Sequence, residues 1–261
     1  MRRHHPPHPK EPDVTTTTAH TTTACRAPVD WTRKHAFAAG TLYLITFAAS
    51  IPALFYFLTP VLNDPNYIVS SGADTRVILG CLLDVVNALA CIGTAVAVFP
   101  VVRRHNESLA LGFVTSRMFE AAVIMIGVVS LLAVVTLRQD AASTGADQAT
   151  LVTTGQALVA VRDYTFQFGP NFSAAINALL FGTLLYRSRL VPRIIPTMGL
   201  IAAPLLLAAS VATVLGLTEQ GSVWFAPGGA LIFAWELSVG IYMVVKGFKP
   251  SPITTSTVPA V

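Results

Sequence analysis

Apolar residues along this chain gather in six long runs separated by short polar stretches, a pattern of helices and not of alternating strands. A helix needs roughly 20 apolar residues to cross a hydrocarbon core about 30 Å thick. The first run extends from about Ala36 to Leu58, the second from Val77 to Val102 and the third from Leu109 to Leu137. The fourth lies within Leu151 to Tyr186, the fifth extends from Ile194 to Leu217 and the sixth from Phe225 to Val245. Helices satisfy their own backbone polar groups in lipid, which an open sheet cannot do. The ten-residue alternation of a membrane barrel is absent. The pattern therefore predicts an all-α polytopic membrane helical bundle with six transmembrane helices.

Composition agrees. Charged residues make up 11% of the 261 positions and hydrophobic ones 53%, against about 25% charged in an ordinary globular chain. A soluble enzyme, a collagen-like or disordered chain, and a disulfide-stapled fold with only three cysteines are all excluded. Residues 1–34 are rich in Pro, His and Thr, with Thr15 to Thr18 and Thr21 to Thr23 as low-complexity runs. They lack the apolar content to fold alone and are expected to form a disordered basic cytoplasmic tail. His4, His5 and His8 there suggest at most loose metal contact. Residues 35–248 form the six-helix domain, and 249–261 a flexible C-terminal tail.

Orientation follows from Lys and Arg. Arg2, Arg3, Lys10, Arg26, Arg33, Lys34, Arg103, Arg104, Arg187, Arg189, Arg193, Lys246 and Lys249 fall on one side, and only Arg76 and Arg138 on the other. Both termini are thus expected in the cytoplasm. The net charge of +4 reflects this asymmetry, so no nucleic-acid partner is implied; the lipid bilayer is the expected surrounding.

Six ionisable residues interrupt the apolar segments: Asp84, Arg117, Glu120, Arg162, Asp163 and Glu236. Charge deep in lipid is expensive, so these must face protein or water. At 1.5 Å per residue, Asp84 comes roughly 10 to 12 Å from the outer end of its helix, with Asn87 one turn deeper. Arg117 and Glu120 come roughly 12 to 17 Å from the inner end, and Glu236 roughly 16 Å from the outer end. On the second helix Gly80, Asp84, Asn87, Cys91 and Thr94 share one small, polar face. On the sixth, Gly229, Phe233, Glu236, Gly240, Met243 and Gly247 form another, whose glycines permit close helix approach. Arg117 and Glu120 are spaced to pair, with Gly127 further along that helix. The four acids outnumber the two arginines, which makes Asp84 or Glu236 a candidate for carrying an exchangeable proton.

The fourth segment is too long. Thirty-six helical residues would span about 54 Å, so a break is expected at Gly169-Pro170-Asn171, where proline removes a backbone donor. Gln156, Asp163, Gln167, Pro170 and Asn177 lie along its polar face. Counting outward from Tyr186 places Arg162 and Asp163 near the outer interface.

Catalytic signatures are absent: no HExxH, G-x-S-x-G, P-loop or CxxC occurs. His105 and His35 are the only histidines beyond the tail, so no metal or other cofactor is implied. An aspartate dyad of Asp84 and Asp163 is disfavoured by their unequal depths.

Several stretches carry a resemblance. Pro60-Val-Leu-Asn-Asp-Pro-Asn-Tyr67, Val77-Ile-Leu-Gly80, Phe99-Pro-Val-Val-Arg-Arg-His-Asn106, Leu109-Ala-Leu-Gly112, Arg117-Met-Phe-Glu120, Ala160-Val-Arg-Asp163 and Tyr186-Arg-Ser-Arg-Leu-Val-Pro192 together resemble the bacterial domain-of-unknown-function 4386 family. The likeness covers roughly Arg33 to Lys249. It implies a multi-pass protein of the bacterial cytoplasmic membrane, and a glutamate in many relatives where this chain has the shorter Asp84. It implies no activity or catalytic residues.

The residues themselves favour a midplane polar cavity that binds, or transports, a small solute or lipid, built from Asp84, Asn87, Arg117, Glu120, Arg162, Asp163 and Glu236, with a broken fourth helix as gate. Two other readings stay open. One is a structural or regulatory membrane protein held together by these charges; the other is an intramembrane lipid-modifying enzyme using Glu120 or Asp163 as acid or base.

Overall fold

The computed structural model describes residues 1, 29–70, 72–144, 147–219 and 221–251. Among them there is no strand, and six helical segments are long and apolar enough to cross a membrane. Helix α1 (Val29–Pro52) ends in one π turn, Ala53–Phe57. A short α2 (Thr59–Asn63), with Pro60 in its first turn, and a 3-10 turn, Tyr67–Val69, lead to α3 (Asp74–Val102). Then come α4 (Glu107–Thr144) and α5 (Gln148–Phe166). A π segment, Gln167–Ser173, joins α5 without interruption to α6 (Ala174–Ser188). The chain closes with α7 (Ile194–Val214) and α8 (Phe225–Val245).

Each span packs on the next in chain order, and the last returns to the first, since α8 lies against α1. The result is a closed ring. The start of α1 and the end of α8 lie at one end of it, with the 103–106 and 189–193 turns. The Arg33 guanidinium donates to the Val244 and Val245 carbonyls at the end of α8, the Lys249 amide donates to Leu190 O at 2.8 Å, and Arg104 lies over the Trp31 ring. At the opposite, loop end, Arg138 bonds Asp74 at 2.5 Å and the Ser70 carbonyl at 2.9 Å. Arg76 donates to Tyr56 O and covers the Tyr56 ring. Both arginines of the less basic side are thus tied into the fold. Burial, with the hydrogen bond to Asp74, pushes the Tyr67 phenol at this end above its ordinary range.

Two boundaries differ from expectation. Helix α1 reaches back to Val29, because Thr32 is buried and Arg33 caps α8; residues 2–28 of the predicted tail, with His4, His5 and His8, lie outside the described residues. At the other terminus Ser251 still bonds the Ser188 carbonyl, while 252–261 lie outside them.

The fourth span is not broken. Its helix runs through Gly169-Pro170-Asn171 as a π turn, whose wider register accommodates the proline's missing N–H. The excess length projects instead at the loop end. There α4 and α5 form a hairpin closed by Asp147, which accepts from the Thr150 backbone and hydroxyl as N-cap. Those bonds hold its carboxylate below the usual range. The hairpin clasps the Tyr67–Val69 turn, with Ile68 seated on Gly155.

The buried apolar residues divide into two clusters. One, towards the termini, includes Tyr43, Phe113, Phe181, Trp235 and Met243; the other, towards the loop end, includes Leu58, Val77, Ile124 and Leu131. Small residues set the helix spacing. A Cβ on Gly40 would lie 2.7 Å from the Gly240 carbonyl oxygen, where α1 crosses α8, whereas one on Gly112 would meet only Leu180 at 3.5 Å. Gly40→Ala is expected to lower stability by about 1–3 kcal/mol through overpacking. Gly112→Ala, which gains helix propensity, should stay within about 0.5 kcal/mol of wild type or exceed it. Thermal unfolding of the two variants in detergent compares them directly.

Candidate functional site

Between the two apolar clusters the ring encloses a cavity of about 230 Å³ to which every span contributes lining residues. Six of the seven residues singled out from the sequence line it: Asp84 and Asn87 from α3, Arg117 and Glu120 from α4, Arg162 from α5 and Glu236 from α8. The polar face of α3 is buried along its length, from Gly80 through Thr94.

The charges are paired across helices. Arg117 bonds Glu120 at 2.9 Å, one turn along α4, and reaches Glu236 on α8 at 3.4 Å. Arg162 crosses from α5 to Asp84 on α3 at 3.3 Å. The absent side chain of Gly127 makes that crossing possible, since a Cβ there would lie 2.9 Å from Arg162 Cδ and 2.5 Å from Thr165 Oγ1. Arg162 therefore reaches the depth of Asp84 and does not stop at the interface, as simple counting along a straight helix suggests. Asp163, next in sequence, falls on another face of the helix. It is exposed and lines a separate groove at the loop end with Asp64, Tyr67 and Gln156. The aspartates 84 and 163 consequently share no site.

Other contributors join them, and of these only Tyr43 has no place on the polar faces read from the sequence. Asn177 donates to Glu120 Oε2 at 2.8 Å, the same oxygen that Arg117 holds. Asn177 belongs to the polar face read along the fourth segment, yet nothing in the sequence joins it to Glu120, 57 positions away. Tyr43 lies beneath Arg117, its ring centroid 4.9 Å from the guanidinium carbon, an aromatic face turned to a cation. Cys91, a free thiol, accepts from Arg117 at 3.5 Å. Gln167 in the π segment donates to the Ser210 carbonyl of α7 and accepts from Asn171, tying that turn to the neighbouring span.

An aromatic layer closes the cavity towards the termini. Phe113 and Phe181 stack at 4.7 Å, Tyr43 and Trp235 flank Phe181, and all four are buried. Gly199 admits the Trp235 ring, because a Cβ there would come within 2.6 Å of it. Some buried polar atoms have no hydrogen-bond partner among the described residues, including Arg117 Nε and Asn177 Oδ1. Groups of this kind are ordinarily satisfied by water or ligand.

Among the described residues no group of three or more His, Cys, Asp or Glu is arranged to hold a metal ion. The cavity's chemistry is that of hydrogen bonds and charge, with three carboxylates and two guanidiniums at mid-membrane.

A ring of six apolar helices around a charged internal cavity defines a multi-pass integral membrane protein. The chain belongs to the family described as "Domain of unknown function (DUF4386)", whose model matches residues 38–247. No curated protein and no solved structure matches it.

The pairing separates the roles of the acids. Asp84→Asn or Glu120→Gln leaves a buried guanidinium without its nearest counter-charge and is expected to cost about 3 kcal/mol. Glu236→Gln leaves Arg117 with Glu120 and should change stability by less than about 1 kcal/mol. Melting temperatures of the three variants in one detergent check the ranking; equal losses would show that Glu236 is as structural as the other two.

Proposed function

We propose that this protein binds a small solute or lipid in its mid-membrane cavity. The observation that carries the reading is the open space itself. Protein interiors pack to crystal-like density, and an ion cluster serving only to fix helix register would close over its charges. Here six spans hold apart about 230 Å³, walled by charged and amide side chains that orient a ligand. The continuous π-turned helix forms one wall, as π turns often do at functional sites.

A structural role has one observation in its favour, because every cavity acid has an arginine within 3.4 Å. A ligand screen by thermal shift on protein in nanodiscs separates the two. Binding predicts stabilisation by at least one chemical class, lost in Glu236→Gln; a flat response across polar and amphipathic compounds would leave the structural role. Transport is a further step, since the aromatic layer must part for a solute to pass, and flux into proteoliposomes reads it separately.

The same reading places both termini in the cytoplasm of a bacterial cell. Its support is the excess of Lys and Arg at the termini end, at 33, 34, 103, 104, 187, 189, 193, 246 and 249. Single cysteines in a cysteine-free background, labelled on intact cells with an impermeant maleimide, test it. A residue in the 215–219 turn is expected to label and one at Lys249 to label only after lysis; the reverse pattern would invert the topology.

A further inference from the structure

The cavity has a mouth that faces lipid. Helices α1 and α8 touch closely at Gly40 and Gly240, and again where Phe47 meets Phe233 edge-to-face at 5.0 Å. One turn nearer the loop end, Gly229 lines the cavity, and a Cβ there would meet nothing within 4 Å. Opposite it the lining continues through Ser50, Ile51, Leu54 and Phe55, where α1 passes Pro52 into its π turn. Ile51, Phe55 and Phe233 are exposed on the flank of the bundle as well as lining the cavity. An apolar surface of this kind on a membrane span meets acyl chains, so the polar interior is continuous with the bilayer through the gap between α1 and α8.

The charges inside are unequal. Counted as ionised, Asp84, Glu120 and Glu236 face Arg117 and Arg162, an excess of one carboxylate. Arg162 is committed to Asp84 and Arg117 to Glu120 at its shorter contact, so the excess falls on Glu236. Glu236 has the more distant hold on Arg117, 3.4 Å against 2.9 Å, and the most accessible side chain of the three acids, at 14% against 9% for Asp84 and 7% for Glu120. It sits on the same helix as the mouth, one turn deeper than Phe233.

We propose that the ligand is an amphipathic monocation, an ammonium head carried on an apolar tail, which enters sideways from the bilayer between α1 and α8. Its head meets Glu236, and its tail rests along Ile51, Phe55 and Phe233. The proposal rests on the cavity-binding reading above and adds the charge, the tail and the route. The ammonium supplies the missing counter-charge, with Thr46, Ser50 and Asn171 in the same lining as hydrogen-bonding groups. The tail never leaves an apolar surrounding.

Calorimetry on the full-length protein in phosphatidylcholine nanodiscs, referenced to empty discs at pH 7, tests it with n-octylammonium, n-octanoate and methylammonium. Octylammonium is expected to bind saturably, at least about tenfold tighter than octanoate, the discrimination of one charge-assisted contact. Methylammonium, without a tail, is expected to bind more weakly. Glu236→Gln should weaken octylammonium binding about tenfold or more. Gly229→Leu, which fills the mouth and whose Cβ meets no neighbour within 4 Å, should do the same, while its unliganded melting temperature, measured alongside, confirms that the variant is folded.

Stronger binding of octanoate would overturn the cationic class and leave the cavity reading standing. Equal binding of methylammonium, or no effect of Gly229→Leu, would overturn the tail and the lateral route. Absence of octylammonium binding overturns the proposal whole. The cavity reading falls with it only if the broader ligand screen is also flat.

Discussion

Two guanidiniums buried in a membrane cannot be left alone, and the bundle is arranged around that fact. Arg117 and Arg162 each need a carboxylate at hydrogen-bonding distance, and the carboxylates lie on three different helices: Asp84 on α3, Glu120 on α4 and Glu236 on α8. Meeting this need turns the polar faces of α3, α4, α5 and α8 inward together. It also fixes the rotation of each helix, since a turn of any one about its axis would put a charge into lipid. The apolar clusters on either side contribute bulk, but apolar contacts in a bilayer compete with equally apolar acyl chains and specify orientation poorly.

Close approach of helices does the rest. Lipid provides little hydrophobic drive for association, so packing depends on positions where two backbones can come near. Gly40 against Gly240 joins the last span to the first, Gly127 lets Arg162 pass over α4, and Gly199 receives Trp235. These contacts close the ring at the termini end and beside the arginines. Gly229 is the contrasting case, a cavity-lining glycine whose Cβ would meet no neighbour within 4 Å. The same residue type thus seals the bundle at one level and borders open space at another.

The aromatic layer gives the cavity a direction. Tyr43, Phe113, Phe181 and Trp235 separate it from the basic termini end, and Arg117 rests on the Tyr43 face as part of that floor. The space between the charges is therefore closed on that side by packed rings in this conformation. The π turn at Gln167–Ser173 belongs to the same wall. It keeps the fourth span continuous past Pro170, and through Gln167 and Ser210 it fastens that span to α7.

The spans, their number and most of the charged residues that line the cavity were legible in the sequence. Hydrophobic length is a local property, and the cost of charge in lipid is so large that Asp84, Arg117, Glu120, Arg162 and Glu236 had to turn inward whatever the fold. Tertiary structure decided the partners. Which acid answers Arg162 depends on Gly127 allowing α5 to lean across α4, and a count along a straight helix cannot see that. The neighbour Asp163 is set on a different face by the turn of about 100° between adjacent helical residues, and so leaves the site its sequence position suggests. Proline at 170 signals a break locally. A π turn absorbs it, with the Ser173 hydroxyl donating to the Phe168 carbonyl inside the turn and the Gln167 side chain fastening the turn to Ser210 of α7.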